Sequence, residues 1–365
     1  MSLLDRIIAN QSPRRKAVSE TMLRLKSFYF PTFYDEMLNG ELDLLFDSMI
    51  EELAGRPALR WKPTDATGRE VTSEPFRGGR ILAISGAAGV GKSRTVQHVL
   101  RDRPELSGYA SANDPKDLIA VVASAPFTLG SLGNLILRAT GYPVTAEVKE
   151  SSVWPVTRRR LRELDTRILY IDEAQHGDQV PDPEIAQKVL DTLKLTMQDE
   201  AHPIWLILSG TPPLARFLQK DASVRRRVRH VTFERLDYST HADLVKTLIK
   251  RTVDICPGLS SDLAVEDETV GRLMHAANGQ FGVIVEYIQD AIGDCLRAGE
   301  SNLTIHHFAE VYAARTGAST SDRNAFLAHD WESIDVTHSL YDDAVDEPGP
   351  QAFSRKRRAR RGESK

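Results

Sequence analysis

Short apolar runs alternate with helix-period segments through the middle of this chain. The runs at 81–85, 118–123, 168–171, 204–208 and 231–233 are too short for helices and lack polar alternation, as expected of strands buried on both faces. Apolar residues at helical spacing fill 93–101, 131–140, 183–198 and 213–220 between them. Strand–helix alternation of this kind predicts an α/β fold, a mostly parallel sheet covered by helices on both sides. Before it, Leu23, Leu25, the aromatic cluster Phe28, Tyr29, Phe30, Phe33 and Tyr34, and the periodic stretch 42–53 predict a separate helical extension. A passage rich in Gly, Pro and Thr, 55–79, reads as linker. After residue 240 the strand signal fades, and helical periods at 242–253, 267–277, 283–298 and 306–315 predict a small all-helical unit.

The expected organisation is therefore a helical extension and linker at 1–75, an α/β domain at 76–238, a helical domain at 239–316 and a flexible tail at 317–365. Charge sharpens the last boundary. Seven acids and no Lys or Arg occupy 330–353, and seven Lys or Arg with one acid occupy 355–365. Single-sign blocks repel themselves and act as interaction tails. The net charge of −4 excludes a uniformly basic nucleic-acid coat. The longest apolar run, 118–127, is broken by Ser124 and Pro126 and falls short of the ~20 residues of a membrane span. Cys256 and Cys295 are expected to be reduced thiols, and the protein is expected in the bacterial cytoplasm, away from membranes.

The chemistry sits at two strand ends. Gly86, Ala87, Ala88, Gly89, Val90, Gly91, Lys92 and Ser93 satisfy G-x-x-x-x-G-K-[ST] after a predicted strand and before a predicted helix that continues with Arg94. Glycines let the backbone curl around phosphates, the helix start adds a positive dipole end, Lys92 supplies charge and the Ser93 hydroxyl a magnesium ligand. A bare glycine-rich turn beside an exposed lysine is the competing reading, and the strand–loop–helix context weighs against it. About 80 residues on, the run 168–171 delivers Asp172 and Glu173 to the carboxyl edge of the sheet, where α/β sheets bind ligands. Asp172 is expected to hold magnesium and Glu173 to polarise an attacking water, so the cofactors are ATP and Mg2+. The next strand ends in Ser209-Gly210-Thr211, where Ser209 and Thr211 compete as the group that senses the γ-phosphate. In the basic cluster 225–229, Arg226 or Arg227 is a candidate to enter a neighbouring subunit's ATP site.

These residues together resemble the AAA+ ATPases, and more closely the TniB/TnsC-type regulators of DNA transposition. The likeness lies in the loop 86–93, in Ile171-Asp172-Glu173-Ala174-Gln175-His176, in Leu208-Ser209-Gly210-Thr211-Pro212, and in the stretches 123–126 and 132–143, over about residues 80–300. The resemblance implies an AAA+ P-loop ATPase core followed by a helical lid. It also implies a homo-oligomer, ring or filament, that assembles on double-stranded DNA, recruits a transposase and helps select the target site with a target-selection protein. It favours Arg227, before Val228, as the arginine finger. One departure stands out: Gly279-Gln280-Phe281-Gly282-Val283 holds no second sensing arginine, which implies slow hydrolysis or nucleotide used as an assembly switch.

DNA contact is expected through the backbone at Arg158, Arg159 and Arg160 and through the tail at 355–361, without base reading. A solvated helix face is the alternative for the three arginines. Aromatics at 326–341 suggest a docking segment for the transposase, or an additional helix packed on the same subunit. The functional rivals are a P-loop phosphotransferase, which leaves Glu173 beside Asp172 unexplained, and a signalling or defence switch with protein partners only.

Overall fold

The computed structural model describes residues 2–58, 78–106, 109, 117–125, 127–143, 147–180, 182–263, 266–318 and 320–337. Five parallel strands form one sheet: β1 (Ile81–Gly86), β2 (Leu118–Val122), β3 (Ile168–Asp172), β4 (Trp205–Gly210) and β5 (Val228–Phe233), in the order β2-β3-β4-β1-β5. Ile81 pairs with Leu206 and Val228, and Ile168 pairs with Leu118 and Trp205. β4 thus stands between the strand that leads into the glycine loop and the strand that ends in Asp172. The three inner strands are buried at every position, the condition that favours continuous apolar runs. β5 lies at an edge, with Val231 and Phe233 inward and Arg229, His230 and Thr232 less buried. Its polar first half hid the strand's start at Val228 from the hydrophobic pattern.

Successive side chains point to opposite faces and so build two cores. Ile81, Ala83, Leu169, Ile171, Leu206 and Leu208 pack with α5 (Leu129–Ala139), α6 (Glu150–Glu163), α7 (Pro183–Met197), α8 (Pro213–Gln219) and α9 (Ala222–Arg225). Leu82, Ile84, Ile168, Tyr170, Trp205 and Ile207 face α3 (Phe33–Ala58) and α4 (Lys92–Asp102). The pattern does not announce α6, because Pro155 lies inside it and arginines crowd its last turns.

The expected separation of the N-terminal segment does not hold. Tyr34, Leu38, Leu42 and Leu45 recur on one side of α3 and are buried against the sheet. The Trp205 indole N–H donates to Ser48 Oγ at 2.9 Å. The Tyr34 hydroxyl donates to the Glu234 carbonyl at 3.0 Å and accepts its N–H at 2.7 Å. Two other helices precede α3, α1 (Leu3–Ala9) and α2 (Pro13–Ser27), and α2 joins the helical unit instead of the sheet. Leu25 is fully buried there, and the Gln289 amide donates to its carbonyl at 2.9 Å.

The helical unit contains α10 (Tyr238–Asp254), α11 (Asp267–Ala276), α12 (Phe281–Ala298) and α13 (Ile305–Thr316) around a core of its own. Residues 320–337, assigned from the sequence to a flexible tail, pack back onto it. Phe326 is buried against Tyr287, Phe308 and Tyr312. Arg272 donates to the carbonyls of Ala325 and Ala328 at 2.9 and 2.8 Å. The driving force is burial of the aromatic ring, with the chain's own polar groups satisfied on the way. Trp331 lies 5.5 Å from the Arg272 guanidinium, and Ile334 packs on the same core. Leu340, Tyr341 and the basic run 355–361 lie outside the described residues. No described helix is long and apolar enough to cross a membrane.

Candidate nucleotide site

β1 leaves the sheet at Gly86, and the chain curls through five residues before α4 begins at Lys92. Gly91, at φ 97°, takes a backbone conformation that any side chain would strain. No acidic residue occupies the first turn of α4 and no side chain caps it, so its free N–H groups and dipole are available to an anion. Lys92 is only 7% exposed, and its Nζ donates to the carbonyls of Gly86 and Ala87 at 2.8 Å each. Burial lowers its pKa, while the charges of Glu173 and Asp172 pull the other way. The loop lysine and the acidic strand tip therefore share one electrostatic neighbourhood.

Asp172 ends β3 and is buried. Its Oδ1 accepts the Glu173 N–H at 3.0 Å and the hydroxyl of Ser209 from the adjacent β4. Tyr170, its pKa pushed up by burial, keeps its proton and meets Ser209 Oγ at 3.0 Å. Ser209 is thus sealed behind Asp172 as its orienting donor. Thr211, its rival at the strand tip, lines the cavity. Glu173 sits at φ 57°, ψ 31°, a left-handed conformation that costs a non-glycine residue about 1–3 kcal/mol and is typical of functional positions. The Gln175 side chain braces it, donating to Glu173 Oε2 at 2.5 Å and accepting the Thr211 N–H at 3.2 Å. Nothing in the sequence marked that brace apart from the run Asp-Glu-Ala-Gln itself.

A cavity of about 800 Å³ joins these groups. Its polar lining includes Lys92, Ser93, Glu173 and Thr211 beside the loop glycines, and its apolar lining includes Phe28, Tyr29, Phe30, Leu248, Phe281 and Val285. Arg94 is also in the lining, and its guanidinium donates to the carbonyls of Lys26 and Phe28 at 2.8 and 2.7 Å, drawing the aromatic loop to the site. Gly86, Ala87 and Val90 complete the loop, with Val90 anchored in the core. The helical unit closes the cavity: the Gly282 N–H donates to the Gly89 carbonyl at 2.8 Å. Its segment 279–283 brings Gln280 and Phe281 where a sensing arginine was sought.

Among the described residues no group of three or more His, Cys, Asp or Glu could hold a metal ion. One oriented carboxylate, Asp172, and one hydroxyl on the loop, Ser93, make an incomplete donor set. That suits magnesium, which keeps waters and takes phosphate oxygens as its remaining ligands.

A family model described as an AAA domain matches residues 76–218. The structure is similar to the ORC2 protein of Aeropyrum pernix in its ADPNP–ADP complexes, with a TM-score of 0.51 and 12% identity over 75% of this chain and 67% of that one. It is similar also to Cdc6p from Pyrobaculum aerophilum, with a TM-score of 0.51 and 13% identity over 80% and 69%. At such identities the likeness concerns the fold. The sheet order, with β4 inserted between phosphate strand and acidic strand, agrees with it. The fold is that of an AAA+ P-loop ATPase core. Curated proteins provide no match to the sequence.

Within this AAA+ core the remaining candidates lie elsewhere. Arg226 and Arg227 follow α9 at the amino edge of the sheet, about 20 Å along β5 from the carboxyl edge at roughly 3.3 Å per residue. Arg226 is exposed. Arg227 is half-buried, and burial lowers its pKa against the opposing charge of Glu52. On α6, Arg158 is half-buried, Arg159 pairs with Glu163 at 3.3 Å, and Arg160 pairs with Glu163 at 3.4 Å and donates to the Thr140 carbonyl at 3.3 Å. One carboxylate, Glu163, thus offsets part of the charge in this cluster.

Proposed function

We propose that the chain binds magnesium–ATP in this cavity, hydrolyses it, and acts as an oligomeric, DNA-bound switch that regulates transposition. The observation that carries the reading is the meeting of Lys92 and Glu173 in one cavity at the carboxyl edge of the sheet. Lys92 leaves the carbonyls of Gly86 and Ala87 for the β- and γ-phosphates, which the N–H groups of the loop and of α4 surround. Ser93 and Asp172 would hold Mg2+, which would supply positive charge against the phosphate oxygens. Glu173, fixed by Gln175, orients the attacking water in line with the γ-phosphate. Thr211 reads the γ-phosphate from the tip of β4. The aromatic side chains of the lining receive the base. The ligands named for the ORC2 structure, ADPNP and ADP, are of the class a lining of loop, lysine and aromatic rings suits.

The DNA and transposition parts rest on local positive charge at Arg158–Arg160 and at 355–361 and on the TniB/TnsC resemblance. Oligomerisation would repeat the α6 cluster along a duplex, and neutralised phosphates would release counterions, so affinity should fall steeply with salt. Arg226 and Arg227, too far along β5 to serve their own ATP, fit a role in a neighbour's site. A transposase and a target-selection protein are the partners this reading requires.

ATP turnover with and without duplex DNA, alongside mass photometry, tests the reading. Assembly on DNA that depends on ATP and weakens with salt is expected. A monomer that needs a phosphoryl acceptor would mean a kinase. Turnover and assembly indifferent to DNA would leave a switch with protein partners only.

A further inference from the structure

The reaction proposed above, on which this inference rests, needs positive charge near the γ-phosphate beyond Lys92. Within one subunit the helical unit brings no arginine at 279–283, Arg226 and Arg227 stand at the far edge and could serve only a neighbour's site, and Arg94 is engaged with the carbonyls of Lys26 and Phe28. Another arginine lines the cavity together with Lys92, Glu173 and Thr211: Arg216, on α8. No motif marks it.

We propose that Arg216 is a catalytic arginine acting in cis, exchanging Asp178 for the γ-phosphate when ATP binds. Its Nε lies 3.0 Å from Asp178 Oδ2, with the Arg216 side chain 64% exposed and that of Asp178 15%. Lys220 Nζ lies 3.0 Å from Asp178 Oδ1. Arg216 can therefore leave without stranding a shielded carboxylate, because Lys220 stays. An ion pair whose arginine is largely in solvent contributes little, whereas the planar guanidinium forks onto phosphate oxygens with two parallel hydrogen bonds. The exchange is favourable only when a phosphate is there to receive it.

The surroundings tie this exchange to the reacting centre. α8 begins two residues after Thr211, at the tip of β4. The turn 174–177 is pressed onto α8 so closely that a Cβ at Gly177 would stand 2.7 Å from the Phe217 ring. Asp178 follows that turn, its N–H donating to the Gln175 carbonyl at 2.8 Å, and Gln175 is the residue that braces Glu173. Glu173, Asp178 and Arg216 are thereby held in one frame, and Glu173 and Arg216 line the same cavity.

The test is steady-state turnover and ATP-versus-ADP binding by the full chain, comparing wild type with Arg216→Ala, Arg216→Lys and Asp178→Asn, each checked by thermal melting. Arg216→Ala should lower kcat about a hundredfold and lose the preference for ATP over ADP, and Arg216→Lys should restore little of either. Asp178→Asn, which frees Arg216, should keep that preference or strengthen it. Mixing Arg216→Ala with Lys92→Ala subunits should not restore turnover; restoration would overturn action in cis. Wild-type kcat and preference in a folded Arg216→Ala protein would overturn the assignment, as would equal losses of stability in Arg216→Ala and Asp178→Asn with unchanged kinetics. Wild-type protein that binds no ATP would instead overturn the ATPase reading beneath it.

Discussion

The side-chain amide of Gln175 donates to Glu173 Oε2 at 2.5 Å. Its other end accepts the Thr211 N–H, so one residue links the candidate base to the candidate sensor across two strand tips. Gln175→Ala should leave Glu173 in its left-handed backbone with no partner to fix the carboxylate. We expect kcat to fall about tenfold to a hundredfold with ATP affinity nearly unchanged. Paired turnover and binding assays check it, and an equal loss in both would mean that Gln175 supports binding instead.

The phosphate loop and the helical unit touch at Gly282, where an added Cβ would stand 2.5 Å from the Gly89 carbonyl. The carbonyl belongs to the backbone and a Cβ is fixed by it, so neither can swing aside. Gly282→Ala should push the lid off the loop and weaken ATP binding by about tenfold or more, with little change in melting temperature. Unchanged affinity by calorimetry would show that the contact does not close the site.

Lys92 must be charged to meet phosphates, and burial lowers its pKa. Its charge is complete well below the ordinary lysine range and is lost as pH rises through the lowered value, before an exposed lysine would lose it. In the free protein the same shift disfavours folding below that value, and the cost is relieved as pH rises past it. ATP affinity should therefore decline on the alkaline side, earlier than a solvent-exposed lysine would allow. A flat affinity from neutral well into the alkaline range would argue against Lys92 on the phosphates.

Leu42 is buried between α3 and the sheet. Leu42→Ala should cost about 2–5 kcal/mol of stability through lost transfer energy and a cavity. Denaturant melts read it directly; a change within error would return α3 to the status of an appendage.

The parts of this molecule that were legible in sequence are those written contiguously. The inner strands announce themselves because burial on both faces leaves no polar position, and Gly86–Ser93 and Asp172–Glu173 because each cluster of chemistry sits within one strand end. The parts that were not legible depend on distant partners. Tyr34, Leu38, Leu42 and Leu45 show a helix but not which surface it covers, and Phe326 looks like a tail aromatic until Tyr287 and Phe308 are seen around it. On sequence Thr211 is preferred to Ser209 only slightly, because the bonds of Ser209 to Asp172 and of Thr211 to Gln175 join segments distant in the chain. Arg216 carries no motif, and only the fold brings it to the cavity.

Retention of ATP by Glu173→Gln, measured as bound and hydrolysed nucleotide in the same sample beside Lys92→Ala, tests the central claim most directly. We expect Glu173→Gln to hold magnesium–ATP at full stoichiometry without turning it over, and Lys92→Ala to hold none. Rapid turnover by Glu173→Gln, or unimpaired binding by Lys92→Ala, would contradict the account.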